Sequence, residues 1–169
     1  MSFLEIGINE FKAAPFAMLY DEWALLSAGT PESFNTMTVS WGAMGTMWNK
    51  PVVMVYVRPQ RYTKEFVDNS DYFTLSVYPK EYKKALGILG SKSGRDGDKV
   101  EQSGLTPYFV DNTVAFAQAH TIFVCRKLYG GQSLDAGKFA DQSLEAEFYP
   151  NKDFHHLYYG EVTKVLVQQ

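Results

Sequence analysis

The stretch SFNTMTVSWGAMGTMWNKPVVMVYVRPQRYTKEF, residues 33–66, decides the fold. In residues 35–41 the side chains alternate, so an extended strand there has a mostly apolar face and a face of hydroxyls. Residues 51–57, PVVMVYV, are a continuous apolar run that begins at Pro51, which is typical of a strand covered on both faces. Between these strands, GAMGTMWNK at residues 42–50 is predicted to be a loop. The apolar face holds Asn35, Met37, Val39 and Trp41, and the hydroxyl face holds Thr36, Thr38 and Ser40.

Strand signals continue on both sides of this stretch. Residues 23–28, WALLSA, predict a buried strand, and GTPESFN at residues 29–35 carries the Gly, Pro, Ser and Asn of a turn, so we expect a hairpin. Residues 72–78, YFTLSVY, predict another strand. Residues 114–129 predict either one long bent strand or two short ones, and residues 154–168 are expected to close the sheet.

Two short helices are predicted between the strands. The first is TKEFVDNS, residues 63–70, and the second is KEYKKALGILG, residues 80–90, whose final Gly90 suits a helix C-terminus. No internal repeat, low-complexity tract or linker divides the chain. Six or more strands with few helices predict one mainly β domain over residues 1–169, built as a small β-barrel.

Composition limits the classes of function. The chain has 169 residues, and its net charge of −3 gives no general attraction to nucleic acid. Its single cysteine, Cys125, excludes an internal disulfide and a cysteine-based zinc site, and is predicted to be a core residue. No apolar run reaches the length needed to span a bilayer, and the first residues lack the pattern of a signal peptide. We therefore expect a cytoplasmic protein.

The segment RPQRYTKEF, residues 58–66, has the groups that bind an anion. Thr63 is predicted to be the N-cap of the following helix, whose first turn presents free backbone N–H groups and a positive potential. With Arg58 and Arg61 just before that turn, the groups suit a phosphate monoester. The alternative is a solvated pair of arginines ahead of a capped helix.

Several motifs together resemble the flavin reductase-like family of FMN-binding split β-barrels, including its flavoredoxin-like members. The resemblance rests on N-x-M-T-x-S-W from residue 35, on P-V-V-x-V-x-V-R-P-x-R-Y-T from residue 51, and on D-K-x-x-x-x-G-L from residue 98. It continues through FTLSVYP at residues 73–79 and the terminal H-x-x-x-x-G-E-V from residue 155. It covers residues 24–165, so the expected fold is a flavin reductase-like split β-barrel.

The resemblance implies FMN as cofactor, and an isoalloxazine ring needs apolar walls with donors at its rim. The residues implied for the ring and ribityl chain are Asn35, Thr38, Ser40 and Trp41. Those implied for the phosphate are Arg58, Arg61 and Thr63, although Arg58 has a structural role as its alternative. Lys99 matches the family's loop lysine, where a cation near the ring would favour the reduced flavin; the alternative is a surface lysine.

The histidines do not predict a metal site. His155 and His156 are adjacent on a predicted strand and point to opposite faces, and His120 has no neighbouring ligand motif. By resemblance, His155 lies near the flavin or the nicotinamide, where it would steer or tune rather than act as an obligatory acid, because hydride transfer needs mainly close stacking. We expect no catalytic triad.

By resemblance, the function is NAD(P)H-dependent flavin reduction, with electrons passing through FMN to free flavin or to a redox partner. No G-x-G-x-x-G fingerprint is present, so NADH or NADPH would bind transiently over the flavin. One alternative is a flavoredoxin-like electron carrier without NAD(P)H activity, and another is a barrel that has lost flavin. The family also implies a homodimer, with the AMGTMW segment, residues 43–48, as a candidate contact; the alternative is a loop packed on its own barrel.

Overall fold

The computed structural model describes residues 2–12 and 14–169. Strands β2 (Ala24–Thr30) and β3 (Ser33–Val39) form the predicted hairpin, with Thr30 paired to Ser33 across the turn. Every residue of β2 except Thr30 is buried, which confirms the predicted buried strand. The alternation of hydroxyls and apolar residues runs two residues beyond the end of β3, so Ser40 and Trp41 lie directly after this strand.

The segment predicted as a loop is a strand, so that prediction was wrong. β4 (Gly42–Met47) pairs with β5 (Lys50–Val57) from Gly42↔Val55 to Met47↔Lys50. Trp48 and Asn49 make the turn with φ of 52° and 56°. The usual sequence signal of such a turn is Asn-Gly or Asp-Gly. Here the first position is a tryptophan, so the sequence did not indicate the turn.

The main sheet is antiparallel and has eight strands in the order β3-β2-β6-β9-β10-β5-β4, with β1 pairing on β10. β10 does not lie at an edge: it pairs with β9 on one side, and with β5 and then β1 on the other. The remaining strands of the sheet are β1 (Phe3–Ile6), β6 (Tyr72–Val77), β9 (Thr121–Ser133) and β10 (His156–Gln168).

The region predicted as one bent strand or two contains two strands that belong to different sheets. β8 (Thr113–Phe116) pairs with β7 (Pro107–Val110) in a separate two-stranded sheet, while β9 enters the main one. The buried apolar residues form two clusters, one that includes Cys125, which is fully buried as predicted, and one in which α2 (Lys83–Ser91) and β8 pack on the main sheet. Burial raises the pKa of the Cys125 thiol.

The two predicted helices are α1 (Thr63–Asn69) and α2 (Lys83–Ser91), and α2 runs through Gly90 instead of ending there. Gly90 is needed for a close approach, because a Cβ there would lie 3.1 Å from Cβ of Thr38. Two helices were not predicted, α3 (Lys99–Ser103) and α4 (Gln142–Phe148). Single turns of other helix types cover Ile8–Glu10, Ala17–Glu22, Lys80–Tyr82 and Ala136–Lys138. Within the described residues, no helix is long and apolar enough to cross a membrane.

Candidate functional site

A polar cavity of about 340 Å³ lies beyond the end of β3. It forms where the end of β3, the end of β5, the C-terminal turn of α2 and the residue before β10 come together. Six predicted site residues line it: Thr38, Ser40, Trp41, Arg58, Arg61 and His155. The structure therefore brings together residues that are more than a hundred positions apart in the sequence.

Arg61 supplies a positive charge to this cavity. Its Nη1 donates to the backbone carbonyl of Gly90 at 2.7 Å, and burial lowers the pKa of the guanidinium, which nevertheless stays charged. Within the described residues, the side chain of Arg61 hydrogen-bonds to this carbonyl and to no carboxylate. The charge of Arg61 is therefore free to attract an anion into the cavity.

Arg58 is held by the protein. Its guanidinium donates to Oδ2 of Asp153 at 2.5 Å and to the carbonyl of Phe148 at 2.8 Å, and lies over the ring of Tyr149. The hydrogen bond from Arg58 lowers the pKa of the Asp153 carboxyl. Arg58 thus holds the segment after α4 against the end of β5, which is the structural role predicted from the sequence as the alternative to phosphate binding. Its side chain also lines the cavity.

Thr63 and Asn35 lie behind the cavity. Thr63 is the first residue of α1 and only 1% exposed, and the helix has no side-chain cap, so the predicted N-cap role was wrong. Its hydroxyl oxygen instead accepts a hydrogen bond of 3.0 Å from Nδ2 of Asn35, which joins β3 to α1. Neither residue lines the polar cavity, so direct contacts from them to a cofactor stay predictions.

Lys99 is buried at 4% exposure rather than being a surface lysine. Its Nζ donates to the carbonyls of Leu89 and Lys92, at 3.1 and 3.2 Å, and so satisfies the open C-terminal end of α2. Burial and the nearby Arg61 lower its pKa to about 8. Lys99 stands outside the polar cavity, and a contact with a flavin stays a prediction for it as well.

His155 is oriented by its neighbours. Nδ1 lies 2.7 Å from the hydroxyl of Tyr149, and the imidazole packs 5.1 Å from the ring of Trp41. Burial, and then the charge of Arg58, lower the pKa of His155 to about 4, so the ring is neutral at pH 7. His156 instead contacts the carbonyl of Gly131 through its Nδ1. No group of metal-ligating side chains occurs within residues 2–12 and 14–169.

Thr38, Ser40 and Trp41 line the cavity together with His155. Ser40 is exposed, and Trp41 is 42% exposed with its indole edge-on to Phe148 at 5.3 Å. The hydroxyl of Thr38 donates to the carbonyl of Leu86 at 2.5 Å, which fixes α2 against β3. A hydroxyl, an indole and an imidazole are therefore present at one opening, where they can donate to the polar edge of a flat ligand.

An apolar groove of about 1000 Å³ adjoins the cavity and shares Ser40, Trp41 and Tyr56 with it. Its other walls come from the turn at Ala17–Glu22, from β4 and from the start of β10. Sequence reasoning missed this groove and also Tyr149, because neither the aromatic-rich residues 16–20 nor the α4 region carried a motif. The structure reveals the groove through Phe16 and Tyr20, which are 90% and 81% exposed.

Comparison with known proteins places this geometry among flavin-related folds. Residues 21–169 match the family described as "Flavin reductase like domain". The chain is 33% identical over 95 residues to the high molecular weight rubredoxin of Moorella thermoacetica, a match covering 52% of this chain and 37% of that protein. The chain thus spans little more than a third of that relative's length.

Two solved structures show the same fold. An FMN-binding domain of a flavin reductases-like enzyme from Shewanella baltica OS155 has a TM-score of 0.71 at 16% identity, covering 98% of this chain and 77% of that one. Flavoredoxin from Methanosarcina acetivorans has a TM-score of 0.67 at 18% identity, covering 88% and 69%. The predicted split β-barrel is confirmed.

Proposed function

Because this chain belongs to the flavin reductase-like domain family, we propose that it binds FMN and works as an NAD(P)H-dependent flavin reductase. Its electrons would pass from NADH or NADPH through FMN to free flavin or to a redox partner. The observation that carries the proposal is the cavity in which Arg61, without a carboxylate partner in the described residues, stands beside Ser40, Trp41 and His155.

The donor set of this cavity fits FMN. Arg61 offers guanidinium N–H groups to a phosphate dianion, while the charge of Arg58, which also lines the cavity, is offset by Asp153. Ser40, Trp41 and Thr38 would hold the ribityl chain and the ring, whose flat apolar surface suits aromatic walls. When bound, FMN supplies the two-electron redox chemistry that no side chain offers.

The protein's own groups bind and orient. The positive charge of Arg61 favours an anionic ligand, and Trp41 packs against Phe148 and His155 at the opening. The adjoining apolar groove, with Leu19, Tyr56 and Leu157 in its walls, gives a second planar molecule room to stack. Transient binding there would replace a dedicated dinucleotide domain.

The test is the visible spectrum of the purified chain, taken after FMN is added and the excess removed by gel filtration. We expect a retained flavin spectrum in the wild type, bleached by NADH or NADPH and restored by free flavin as acceptor. If the chain retains flavin but does not oxidise NADH or NADPH, the proposal of a reductase gives way to that of a flavoredoxin-like electron carrier. A chain that neither retains FMN nor oxidises NAD(P)H with free flavin present would overturn the proposal.

We also propose that the protein is a homodimer. An aromatic row joins the β4–β5 turn to β10 and β9: exposed Trp48 lies 5.9 Å from half-buried Tyr159, and Tyr159 lies 5.8 Å from exposed Tyr129. Met47 and Trp48 are 39% and 53% exposed in the single chain. Apolar and aromatic surface of this kind is typical of subunit interfaces. The proposed compartment is the cytosol, which keeps a free thiol such as that of Cys125 reduced.

A further inference from the structure

Tyr149 and His155 form a hydrogen bond whose direction can be worked out. The phenol oxygen and Nδ1 are 2.7 Å apart. If Nδ1 carried the proton, it would donate to the phenol, and the phenol's own proton would need a different acceptor. In the described residues, Nδ1 is the one recorded partner of that hydroxyl, and Tyr149 is only 5% exposed.

The opposite direction satisfies both groups. The protonated phenol donates to Nδ1, which is the acceptor that the described residues offer it; burial raises the pKa of Tyr149 and so keeps the phenol protonated. A neutral imidazole that accepts at Nδ1 carries its proton on Nε2. The low pKa of His155 is consistent with an imidazole that stays neutral.

Two neighbours, one cationic and one aromatic, hold this pair in place. Arg58 lies over the Tyr149 ring at 5.1 Å, and its bond to Asp153 fixes the chain between α4 and β10. Trp41 packs against the imidazole on the cavity side. With Nδ1 engaged by Tyr149, the free donor of His155 in the cavity is Nε2–H.

We propose that Tyr149 is a positioning residue that keeps His155 as the neutral Nε2–H tautomer, so that the site recognises its redox substrate through a carbonyl oxygen. A neutral N–H donor pairs with a neutral acceptor without burying another charge. Arg61 then serves the anionic part of a ligand, and His155 serves a carbonyl conjugated to the reacting ring. That carbonyl belongs either to the carboxamide of a nicotinamide donor or to a quinone-like acceptor, and the claim rests on the proposed function.

The first test reads the tautomer directly. Histidine labelled with ¹⁵N in the full chain should show the His155 proton on Nε2 in the wild type at pH 7. In Tyr149→Phe, both tautomers should be populated and the pKa of His155 should rise. Tyr158→Phe is the control, because its hydroxyl bonds to Asp68 at 2.6 Å and not to a histidine. A wild-type proton on Nδ1 would overturn the proposal even if Tyr149→Phe does not fold.

The second test reads recognition, with FMN present and with the His155 resonances as the signal. Nicotinamide and menadione represent the two carbonyl sources, and pyridine, which keeps the ring of nicotinamide without its carbonyl, is the control. We expect Tyr149→Phe to weaken one of the carbonyl ligands about 5-fold to 10-fold, while the binding of pyridine changes less. His155→Gln, which keeps a neutral N–H donor, should bind better than His155→Leu. Unchanged affinity for both carbonyl ligands in Tyr149→Phe would refute substrate recognition, whereas loss of FMN retention with the tautomer intact would refute the proposed function alone.

Discussion

Nδ2 of Asn35 donates to Oγ1 of Thr63 across 3.0 Å, and both side chains are almost fully buried. This bond joins the middle of β3 to the first turn of α1, the two elements whose ends carry the cavity residues. The bond therefore helps to hold the two elements of the site together. The sequence motif had suggested instead that both residues contact the cofactor themselves.

Replacing Asn35 by Ala should destabilise the protein by about 1–3 kcal/mol, because the Thr63 hydroxyl would stay buried without its donor. Urea unfolding gives the measurement. Asn69→Ala removes an exposed amide that donates to the Glu65 carbonyl, and this control should change stability by less than about 0.5 kcal/mol. Equal losses in the two variants would mean that the buried bond has no special role.

Arg61→Ala should lower the affinity for FMN about 10-fold to 100-fold with little change in stability, because a charge-assisted bond to an anion is lost and no ion pair is broken. Arg58→Ala should mainly destabilise the fold, since Asp153 and the Phe148 carbonyl would lose their donor. Flavin fluorescence titration and urea unfolding of both variants separate the two effects. Arg95→Ala, whose side chain lies over Tyr62 and pairs with Glu65, is the matched surface control. An Arg61→Ala protein with wild-type affinity for FMN would remove Arg61 from the phosphate site.

Lys99 gives the stability a dependence on pH. Its folded pKa of about 8 lies below the ordinary value for lysine. Between about pH 8 and pH 10.5 the unfolded chain keeps this proton while the folded chain has lost it, so stability rises with pH, at most by about 1.4 kcal/mol per pH unit.

The comparison is urea unfolding at pH 8 and pH 9.5 for the wild type, Lys99→Met and Lys92→Met. The gain at high pH should be smaller in Lys99→Met, which has no amine to titrate, and unchanged in Lys92→Met, where the lysine is exposed. The same gain in all three proteins would show that Lys99 titrates normally.

Gly94→Ala should destabilise the protein by about 1–3 kcal/mol, because the new Cβ would lie 2.6 Å from Oδ1 of Asn35 and 3.2 Å from the Tyr62 ring. Gly87→Ala is the matched control, since nothing lies within 4 Å of its Cβ position in α2. That change should stabilise the helix by about 0.5–1 kcal/mol. Thermal unfolding of both variants measures the difference, and a tolerated Gly94→Ala would show that the loop at residue 94 moves away freely.

Trp48→Asn should weaken the proposed dimer without lowering the stability of the single chain. Asn suits the positive φ of 52° at this turn better than Trp does, so the fold of each chain should be at least as stable. The proposed dimer should weaken, because the aromatic row of Trp48, Tyr159 and Tyr129 loses its exposed end. Light scattering at micromolar concentration measures the mass. A single-chain mass for the wild type would contradict the dimer outright.

The local patterns were sufficient for some elements. The hairpin of β2 and β3 was predictable because its turn residues and its buried strand adjoin in sequence, and α1 and α2 follow directly after recognisable breaks. Strand β4 was not predictable, because Trp48 occupies a turn position that usually holds Asn, Asp or Gly. The five-residue helix α3 is too short for a periodic signal.

The sequence predicted which residues form the site, but it predicted only some of their contacts. Thr38, Ser40, Trp41, Arg58, Arg61 and His155 do meet. The partner of Arg58 could not be foreseen, because Asp153 is far away in sequence and carries no motif. Likewise, the burial of Lys99 depends on carbonyls at the end of α2, and a lone sequence does not show which helix end lacks donors.

β10 has a consequence for how the chain folds. It is the common neighbour of β9, β5 and β1, and β1 comes from the opposite end of the chain. While the protein is being made on a ribosome, these three strands keep open edges until residues 156–168 have emerged. Closure of the sheet is therefore late and slow, as expected for pairings between distant segments, and a nascent chain halted before residue 156 would be prone to aggregate through those edges.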